Sequence, residues 1–388
     1  MQNFIYSIPT VVYFGKGKVE KLGSLAAESG KRALLVYGGG SIKKNGVYDQ
    51  IMDSLEKSGI TVTELGGVEP NPKIESVRKG AELCREKEIS CVIAAGGGSS
   101  IDCAKGIAAA ACYDSDAWDL VKNPNLIRKA LPILTVPTAA ATGSEMDFYA
   151  VLSNPDTKEK ISIDSPVLFP KYSILDPDFT KTVPLRQTAA GTADILSHIF
   201  EVYFLRAGDT QIQDGIMESL MRTVIRNGRT VMKDPGNYDA RANLQWASDW
   251  AINGFICCGK AGAWVCHPME HQLSAYYDIV HGEGLAVLMP AWLRYTLNDR
   301  TVDMVADFGC RVFGMEDQTD RYRTAEQAIA ELEGWLFEDL HLPRTLRECG
   351  VPEDAELSAL AEGAARSLSN AYVPLSKKDV LEIYKAAF

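Results

Sequence analysis

"CVIAAGGGSSIDCAK", residues 91–105, places three glycines between an apolar run and a stretch with helical spacing. The apolar run predicts a buried strand, and the glycines predict a tight turn into a helix. Gly97 and Gly98 allow backbone N–H groups to approach a phosphate, and the helix N-terminus behind them favours negative charge. Ser99 can cap the helix or hydrogen-bond the phosphate. The plainer alternative is a strand-to-helix turn with a serine cap and no ligand.

Similar apolar runs lie on both sides of this stretch, and helical periods separate them. Together with the run at 89–95 that opens the quoted stretch, they fall at residues 32–37, 60–65 and 131–136. Such alternation predicts βαβ units and a parallel sheet. A run near residues 4–14 predicts an added edge strand or hairpin, and two runs within 160–176 close the domain. We therefore predict an α/β, Rossmann-like dinucleotide-binding domain over residues 1–183.

The second half of the chain follows a different pattern. After Pro184 the strand signals stop, and apolar residues recur at three- and four-residue spacing between Gly and Pro breaks. This spacing predicts an all-helical domain over residues 184–388. A chain of 388 residues is long for one core, so two domains are the natural expectation.

Charge and composition exclude several classes of partner. The formal net charge of -11 disfavours general binding to nucleic acid or to a membrane surface. The N-terminus does not match a signal peptide, and no segment is long and apolar enough to span a bilayer. The nine cysteines are scattered without a C-x-x-C pair, which predicts free thiols in a reducing cytoplasm.

A second glycine cluster, "YGGGSIKK" at residues 37–44, ends the first buried strand. An acidic side chain near such a strand end commonly binds the adenosine ribose 2′-OH, and this cluster contains none. Gly39, Gly40 and Ser41 offer room and backbone donors beside Lys43 and Lys44, which suits a 2′-phosphate. We therefore predict NADP(H) over NAD(H). The alternative is a plain loop with solvated lysines.

The stretch "TVPTAAATGSE", residues 135–145, begins with the last two residues of a further predicted strand, 131–136. Thr138 and Thr142 supply hydroxyls near the end of this strand. Ligands of open α/β sheets bind at the carboxyl ends of the strands. Threonine is also common in turns, so this stretch alone is weak support for a cofactor site.

The helical half contains a candidate metal site. Asp194 and His198 are spaced i, i+4, as are His267 and His271, so each pair shares a helix face. His281 stands at a predicted helix start. The stretch "HPMEH" resembles a zinc-protease motif, but its Glu270 is misplaced for the general base of H-E-x-x-H. Imidazole and carboxylate ligands suit Zn²⁺ or Fe²⁺.

Other interpretations of these residues stay open from spacing alone. The Asp194–His198 pair could be a hydrogen-bonded pair in a core, because a buried Asp needs a partner. A ligand set with Cys266, Cys257 or Cys258 would favour zinc, although adjacent cysteines chelate poorly.

Taken together, these motifs resemble the iron-containing (group III) alcohol dehydrogenase family, most closely its NADP(H)-dependent butanol dehydrogenase and aldehyde reductase branch. The resemblance runs along the whole chain through YGGGSIKKNGVYD, GGVEPNP, GGGSSIDCAK, ATGSE, D-x-x-x-H, H-x-x-x-H and HGEGLAVLMP. The usual TTAGTGSE is TAAATGSE here, so Ala139 and Ala141 replace a threonine and a glycine.

The resemblance implies residue roles, cofactors and partners. The implied metal ligands, for Fe²⁺ or alternatively Zn²⁺, are Asp194, His198, His267 and His281, whereas His271 lies on the substrate side. The implied cofactor contacts are Asn71, Gly97, Gly98, Ser99, Asp102, Thr138, Thr142 and Lys160. Gly39 stands where NAD-preferring members carry an acid, which agrees with the NADP(H) site predicted at Gly39, Gly40 and Ser41. The implied substrate is a small primary alcohol or aldehyde such as butanol or butanal, and the implied assembly is a homodimer.

The hypothesis is hydride transfer between NADP(H) and a carbonyl carbon whose oxygen is polarised by the metal. The proton reaches the alkoxide through water, the ribose hydroxyls of the cofactor or His271. One rival is a polyol or phosphate-substrate dehydrogenase or lyase on the same fold, which needs cations to clamp its substrate. A rival of another class is a non-catalytic regulator that binds metal or nucleotide.

Overall fold

The computed structural model describes residues 1–205 and 209–388. Contacts between Cα atoms divide the chain into two compact units, Ser7–Val183 and Met1–Tyr6 with Pro184–Phe388. The first unit is α/β and the second is helical. The first six residues group with the helical unit, although the sequence analysis placed them in the α/β domain.

Eight strands lie in the α/β unit. They are β1 Val11–Phe14, β2 Arg32–Tyr37, β3 Thr61–Leu65, β4 Cys91–Gly96, β5 Ile133–Pro137, β6 Tyr149–Asn154, β7 Glu159–Asp164 and β8 Tyr172–Leu175. Its α-helices are α1 Leu22–Ala27, α2 Ser41–Lys44, α3 Val47–Lys57, α4 Ile74–Glu86, α5 Gly98–Ala110 and α6 Ala117–Lys122. Short 3₁₀ turns lie at Lys18–Lys21, Pro124–Leu126, Ser144–Met146, Pro166–Leu168 and Pro177–Thr180.

Six strands form one parallel sheet in the order β1-β8-β5-β4-β2-β3. The parallel sheet and the edge strand β1 confirm the predicted fold class. Of the two runs expected to close the domain, only β8 joins this sheet, between β1 and β5. The other run, β7, pairs antiparallel with β6 in a separate two-stranded sheet.

The apolar runs are continuous because the central strands are covered on both faces. Along β2, Leu34 and Val36 point into one core with α4 and α5. Ala33 and Leu35 point into the opposite core with α1 and α3. Successive side chains of a strand alternate between its two faces, so a strand that is buried on both faces is apolar at consecutive positions.

The α-helices of the second unit are α7 Leu185–Tyr203, α8 Gln211–Lys233, α9 Tyr238–Ile252, α10 Cys266–Tyr277, α11 His281–Thr296, α12 Val302–Phe308, α13 Arg321–Glu333, α14 Leu357–Ala365 and α15 Lys377–Ala387. One π turn continues each of α12 and α13, at Gly309–Phe313 and Gly334–Asp339, and a 3₁₀ turn lies at Leu368–Asn370.

The helix α7 is central to this unit. It packs against α8, α9 and α11, and its residues from Thr188 to Tyr203 are all buried. Across residues 1–205 and 209–388, no helix combines the length and apolar character needed to cross a bilayer.

Candidate active site

The carboxyl ends of three neighbouring strands form one edge of the α/β unit. The strand register pairs Tyr37 with Ala95, and Gly96 with Pro137. The glycine cluster after β2, the glycine loop after β4 and Thr138 after β5 therefore follow one another along this edge. The connection after β2 leads to β3 on one side, and the connection after β4 leads to β5 on the other side. Open α/β sheets bind their ligands at such a topological switch point.

The glycine loop after β4 packs closely against the segment that follows β5. A Cβ atom at Gly98 would lie 2.4 Å from Thr142 Oγ1 and 2.7 Å from its Cγ2. Gly97 is the N-cap of α5 and has no capping side chain, so this helix start presents backbone N–H groups. Ser99 and Thr142 are half-buried beside it. This arrangement is chemically suited to a pyrophosphate.

Asp102 ties α5 to the segment after β5. Its side chain is buried, and its oxygens accept hydrogen bonds from Ser144 Oγ (2.6 Å) and the Val151 N–H (2.9 Å). Burial raises the pKa of Asp102 to about 6. Because both carboxylate oxygens already accept bonds from the protein, the structure gives Asp102 a tethering role, and its contact with the cofactor stays a prediction.

Three more buried charged groups lie in the same region. Lys105 Nζ donates to Asp147 Oδ1 (2.6 Å), to the Asp147 carbonyl (3.0 Å) and to the Tyr149 carbonyl (2.8 Å). Glu145 is buried, and its Oε1 has no hydrogen-bond partner within the described residues. Burial raises the pKa of Glu145 to about 7. The bonds of Lys105 to Asp147 and Tyr149 tie α5 to the segment that follows Thr142.

The second glycine cluster has an acidic neighbour that the sequence analysis did not single out. Glu64 on β3 accepts hydrogen bonds from Tyr37, Tyr48 and Lys43, at 2.7, 2.7 and 2.9 Å. These bonds lower the pKa of Glu64 to about 2. Lys43, predicted to face a 2′-phosphate, is therefore paired with a carboxylate. Glu64 lies on the neighbouring strand, so nothing near residues 37–44 in the sequence could have indicated it.

The remaining predicted cofactor residues are in different surroundings. Gly39 and Ser41 are exposed, and Gly40 has a left-handed φ of 90° as the N-cap of α2. Asn71 has a positive φ of 49° in the segment between β3 and α4. Lys160 lies on β7 with its side chain buried. The roles of Asn71 and Lys160 as cofactor contacts stay predictions.

Three helices of the second unit bring histidines and a carboxylate together. Asp194 and His198 lie on α7, His267 lies on α10, and His281 is the first residue of α11. One ligand atom from each of Asp194, His267 and His281 lies within 4.8 Å of the others. His198 lies beside them: its Nε2 is 3.8 Å from Asp194 Oδ1, and its ring stacks on His267 with centroids 4.9 Å apart.

Buried polar atoms in this group fit a divalent cation. Among the described residues, Asp194 Oδ1 and His267 Nε2 have no hydrogen-bond partner, although both side chains are buried. An unpaired polar atom in such surroundings is costly unless a ligand satisfies it. Burial lowers the pKa of His198 to about 3, which keeps its imidazole in the neutral form that metals require.

His271 is half-buried next to the group. Its ring centroid is 5.6 Å from that of His281 and 6.1 Å from that of His267. It also belongs to a second possible group with Glu270 and His281. Geometry alone therefore does not separate a ligand from a substrate-side histidine at this position.

The cysteine alternative finds no support in the described residues, since neither possible metal group there contains a cysteine. Cys266 is fully buried, and burial raises the pKa of its thiol well above the usual range. A protonated thiol is a poor metal ligand.

Two carboxylates of the helical unit contact candidate ligands in a way that the sequence analysis did not predict. Glu201 lies 3.1 Å from His267 Nδ1, and Glu270 contacts His281 Nδ1. Glu201 follows Asp194 by seven residues on the same helix face, a spacing that could have indicated it.

Comparison with known proteins agrees with this arrangement. The family model for iron-containing alcohol dehydrogenase matches residues 9–177, and the C-terminal model of the same family matches residues 188–388. NADH-dependent butanol dehydrogenase A of Clostridium acetobutylicum is 49% identical and is covered, like this chain, over 100% of its length. The NADPH-dependent aldehyde reductase YqhD of Escherichia coli is 37% identical, over 90% of each chain.

Solved structures give the same result. The crystal structure of NADH-dependent butanol dehydrogenase A from Thermotoga maritima matches with a TM-score of 0.94 and 38% identity, over 100% of this chain and 99% of that one. Fold and relatives together define an alcohol oxidoreductase that uses a metal ion and a nicotinamide cofactor. The chain belongs to the iron-containing alcohol dehydrogenase family.

Proposed function

We propose that this enzyme interconverts small primary alcohols and aldehydes, such as butanol and butanal, with Asp194, His198, His267 and His281 as its metal ligands. The observation that carries the ligand assignment is the pair of buried atoms, Asp194 Oδ1 and His267 Nε2, without hydrogen-bond partners in the described part of the chain. Relatives named for butanol and for aldehyde reduction support the substrate class.

When bound, the metal supplies Lewis-acid polarisation of the substrate oxygen, and the nicotinamide supplies or accepts the hydride. The chain's own task is to hold and orient these partners. In the helical unit, α7, α10 and α11 present three imidazoles and one carboxylate. In the α/β unit, the backbone at Gly97 and Gly98 and the hydroxyls of Ser99, Thr138 and Thr142 bind the nucleotide.

We assign the proton relay to His271. Its ring is half-buried, whereas His267 is buried, so His271 retains access to solvent. An imidazole gains and loses protons near neutral pH, which suits a group that exchanges protons with an alcohol oxygen. The family resemblance implies a substrate-side position for His271, and the His271→Ala variant tests this role.

A phosphate-substrate enzyme is the less favoured alternative. The two cations that flank residues 267–281 in the sequence are both paired: Lys260 Nζ lies 2.7 Å from Asp214, and Arg294 forms two bonds with Glu333, at 3.0 and 2.7 Å. Neither is available to clamp a phosphate without breaking an ion pair. NADPH oxidation with butanal, compared with a phosphorylated ketose, separates the two functions, and faster turnover of the phosphorylated substrate would reverse this proposal.

A non-catalytic regulator would bind metal and nucleotide without turnover. The absence of aldehyde-dependent NADPH or NADH oxidation in a protein that holds its metal would favour it.

NADP(H) is proposed as the preferred nucleotide. Gly39 is exposed, and the space around an added Cβ there is open, so a 2′-phosphate meets neither a side chain nor an acid at this position. Two observations weigh against the preference: Lys43 is paired with Glu64, and the relatives at 49% and 48% identity are named as NADH-dependent. The ratio of kcat/KM for NADPH to that for NADH decides it, and a ratio below one contradicts the proposal.

Fe²⁺ is proposed as the native metal, with Zn²⁺ as the alternative, because all four proposed ligands, one carboxylate and three imidazoles, are harder than thiolate and the family is named for iron. Elemental analysis of protein purified without oxygen distinguishes them. One equivalent of zinc in an active preparation would contradict iron.

A homodimer is proposed from the sheet edge. The strand β1 is at the edge of the parallel sheet, and Val11 on it is 48% exposed. An exposed apolar edge strand is a ready template for pairing with a second copy. Sedimentation of the enzyme and of Val11→Lys measures this, and an unchanged dimer in the variant would rule out β1 as the contact. A reducing cytoplasm is proposed from the nine cysteines, all of them free.

A further inference from the structure

Two of the candidate metal-binding histidines are each in contact with a buried carboxylate on the ring nitrogen that faces away from the metal group. His267 Nδ1 lies 3.1 Å from Glu201 Oε1, while His267 Nε2 belongs to the buried atoms without a hydrogen-bond partner in the described residues. His281 Nδ1 contacts Glu270 Oε2, while its Nε2 lies 3.6 Å from Asp194 Oδ1.

Glu201 is held by more than the imidazole. Its Oε2 accepts the Val265 N–H at 2.7 Å, and its Oε1 accepts the His267 N–H at 2.8 Å. Because Val265 is the N-cap of α10, this carboxylate from α7 satisfies backbone donors at the start of α10. The backbone and the ring of His267 are therefore positioned by one side chain, whose exposed fraction is 4%.

Glu270 is held equally firmly on the other side. Its side chain is fully buried, Oε1 accepts the Ser274 hydroxyl one helical turn later, and Oε2 faces His281. A Cβ at Gly284 would lie 3.0 Å from Glu270 Cγ and 2.9 Å from Ile279 Cδ1. A glycine at position 284 is thus what lets α11 approach α10 closely enough for this contact.

We infer that Glu201 and Glu270 are positioning residues that hold His267 and His281 with Nδ1 protonated and Nε2 directed at the metal. A carboxylate that accepts the Nδ1 proton fixes the imidazole tautomer and ring orientation and makes Nε2 a better donor to a cation. The inference rests on the proposed metal ligands and adds the groups that orient two of them.

A second metal site is the competing interpretation of Glu270. Glu270, His271 and His281 also form a possible metal group. The direct contact between Glu270 and His281 Nδ1 favours a hydrogen bond, because a cation between the two atoms would force them apart. His198 provides an internal contrast: its Nδ1 is buried and accepts or donates no hydrogen bond within the described residues.

The test measures Co²⁺ affinity of the metal-free full-length enzyme by competition with a chelator, together with the visible absorption spectrum at saturation. Glu201→Gln and Glu270→Gln are each expected to weaken Co²⁺ binding by about 10–100-fold, the range that loss of such partners usually produces. The absorption bands at saturation should stay in place, because no ligand is lost. Ser274→Ala, which removes only the hydroxyl bond to Glu270, should have a smaller effect in the same direction.

The matched control is Glu283→Gln. Glu283 on α11 is likewise a fully buried carboxylate, but its partner is Arg186 and not a histidine. The Co²⁺ affinity of the Glu283→Gln variant should stay within about threefold of that of the unmodified enzyme. Thermal unfolding of each metal-free variant shows whether it folds, and Glu270→Gln keeps the test usable if Glu201→Gln does not fold.

Several outcomes would overturn the inference. Wild-type affinity in both variants excludes a positioning role, as does an equal loss in Glu283→Gln. Two Co²⁺ ions per wild-type chain and one in Glu270→Gln would make Glu270 a ligand. If the wild-type enzyme binds no Co²⁺, the proposed ligand set fails as well. If it binds Co²⁺ and reduces butanal while the variants bind equally, only the positioning role fails.

Discussion

The glycine loops of the α/β unit and the histidine group of the helical unit are built in opposite ways. The loops offer backbone N–H groups of consecutive residues at strand ends. A side chain matters there mainly where its Cβ would clash with a neighbouring segment, as at Gly98. The histidine group uses side chains from three helices, and buried carboxylates lie behind two of them. A backbone site should therefore tolerate most substitutions and fail through steric clashes, whereas a side-chain site should fail with a single truncation.

The largest effect is expected from His267→Ala. This change removes a metal ligand whose Nε2 is buried, so the metal should be lost. Without the metal, turnover should fall by at least about 10³-fold, the equivalent of several kcal/mol of Lewis-acid stabilisation. Metal content and butanal reduction measure both. The affinity for nucleotide should be unchanged, and full activity in the variant would exclude the ligand assignment.

His271→Ala should keep its metal and lose about 10²-fold in kcat, the usual contribution of a proton-transfer group. The metal content distinguishes this result from the previous one. An imidazole buffer that restores part of the activity would support the relay. Loss of the metal in this variant would instead make His271 a ligand, in agreement with the second possible group that contains it.

Gly98→Val tests the backbone site. The added Cβ would meet Thr142 Oγ1 at 2.4 Å, and overpacking of this kind costs about 1–3 kcal/mol. The KM for the nucleotide should rise by about 10–100-fold while metal content stays constant. Gly215→Val on α8 is the control, because nothing lies within 4 Å of a Cβ there, and the KM for the nucleotide should not change in this variant. Equal effects in both variants would mean that the close approach is irrelevant.

The smallest effect concerns the buried carboxylates beneath the loops. Burial raises the pKa of Glu145 to about 7, so the folded state favours its protonated form. The stability that protonation provides is complete below the pKa of the unfolded chain and is lost as the pH rises through about 7. Glutamine at this position does not titrate. Between pH 5 and pH 8 the free energy of unfolding of Glu145→Gln should therefore fall by about 1–2 kcal/mol less than that of the wild type.

Urea unfolding of the metal-free proteins at the two pH values measures this difference. Parallel pH dependence in the enzyme and in Glu145→Gln would show that Glu145 does not titrate in this range.

Much of the α/β unit could be predicted from local patterns. The strand β2 spans residues 32–37, the range that its apolar run predicted, because a strand covered on both faces must be apolar along its length. The separate β6–β7 pair could not be predicted, since a run of alternating residues is compatible with either sheet. The Glu64–Lys43 pair was missed for a similar reason: β2 and β3 pair through the sheet, and the spacing between residues 43 and 64 has no helical or strand period.

The sequence by itself determined which residue types were present at regular spacing: the glycines between strand and helix, the i, i+4 pairs of α7 and α10, and the histidine at the start of α11. Periodicity establishes which side chains share a face of one element. Only the tertiary structure decided which faces meet. It brought Glu201 to the start of α10 and Glu270 to His281, and it paired Lys43 with Glu64. These contacts join separate elements, and their partners are chosen by packing, which no spacing along the chain records.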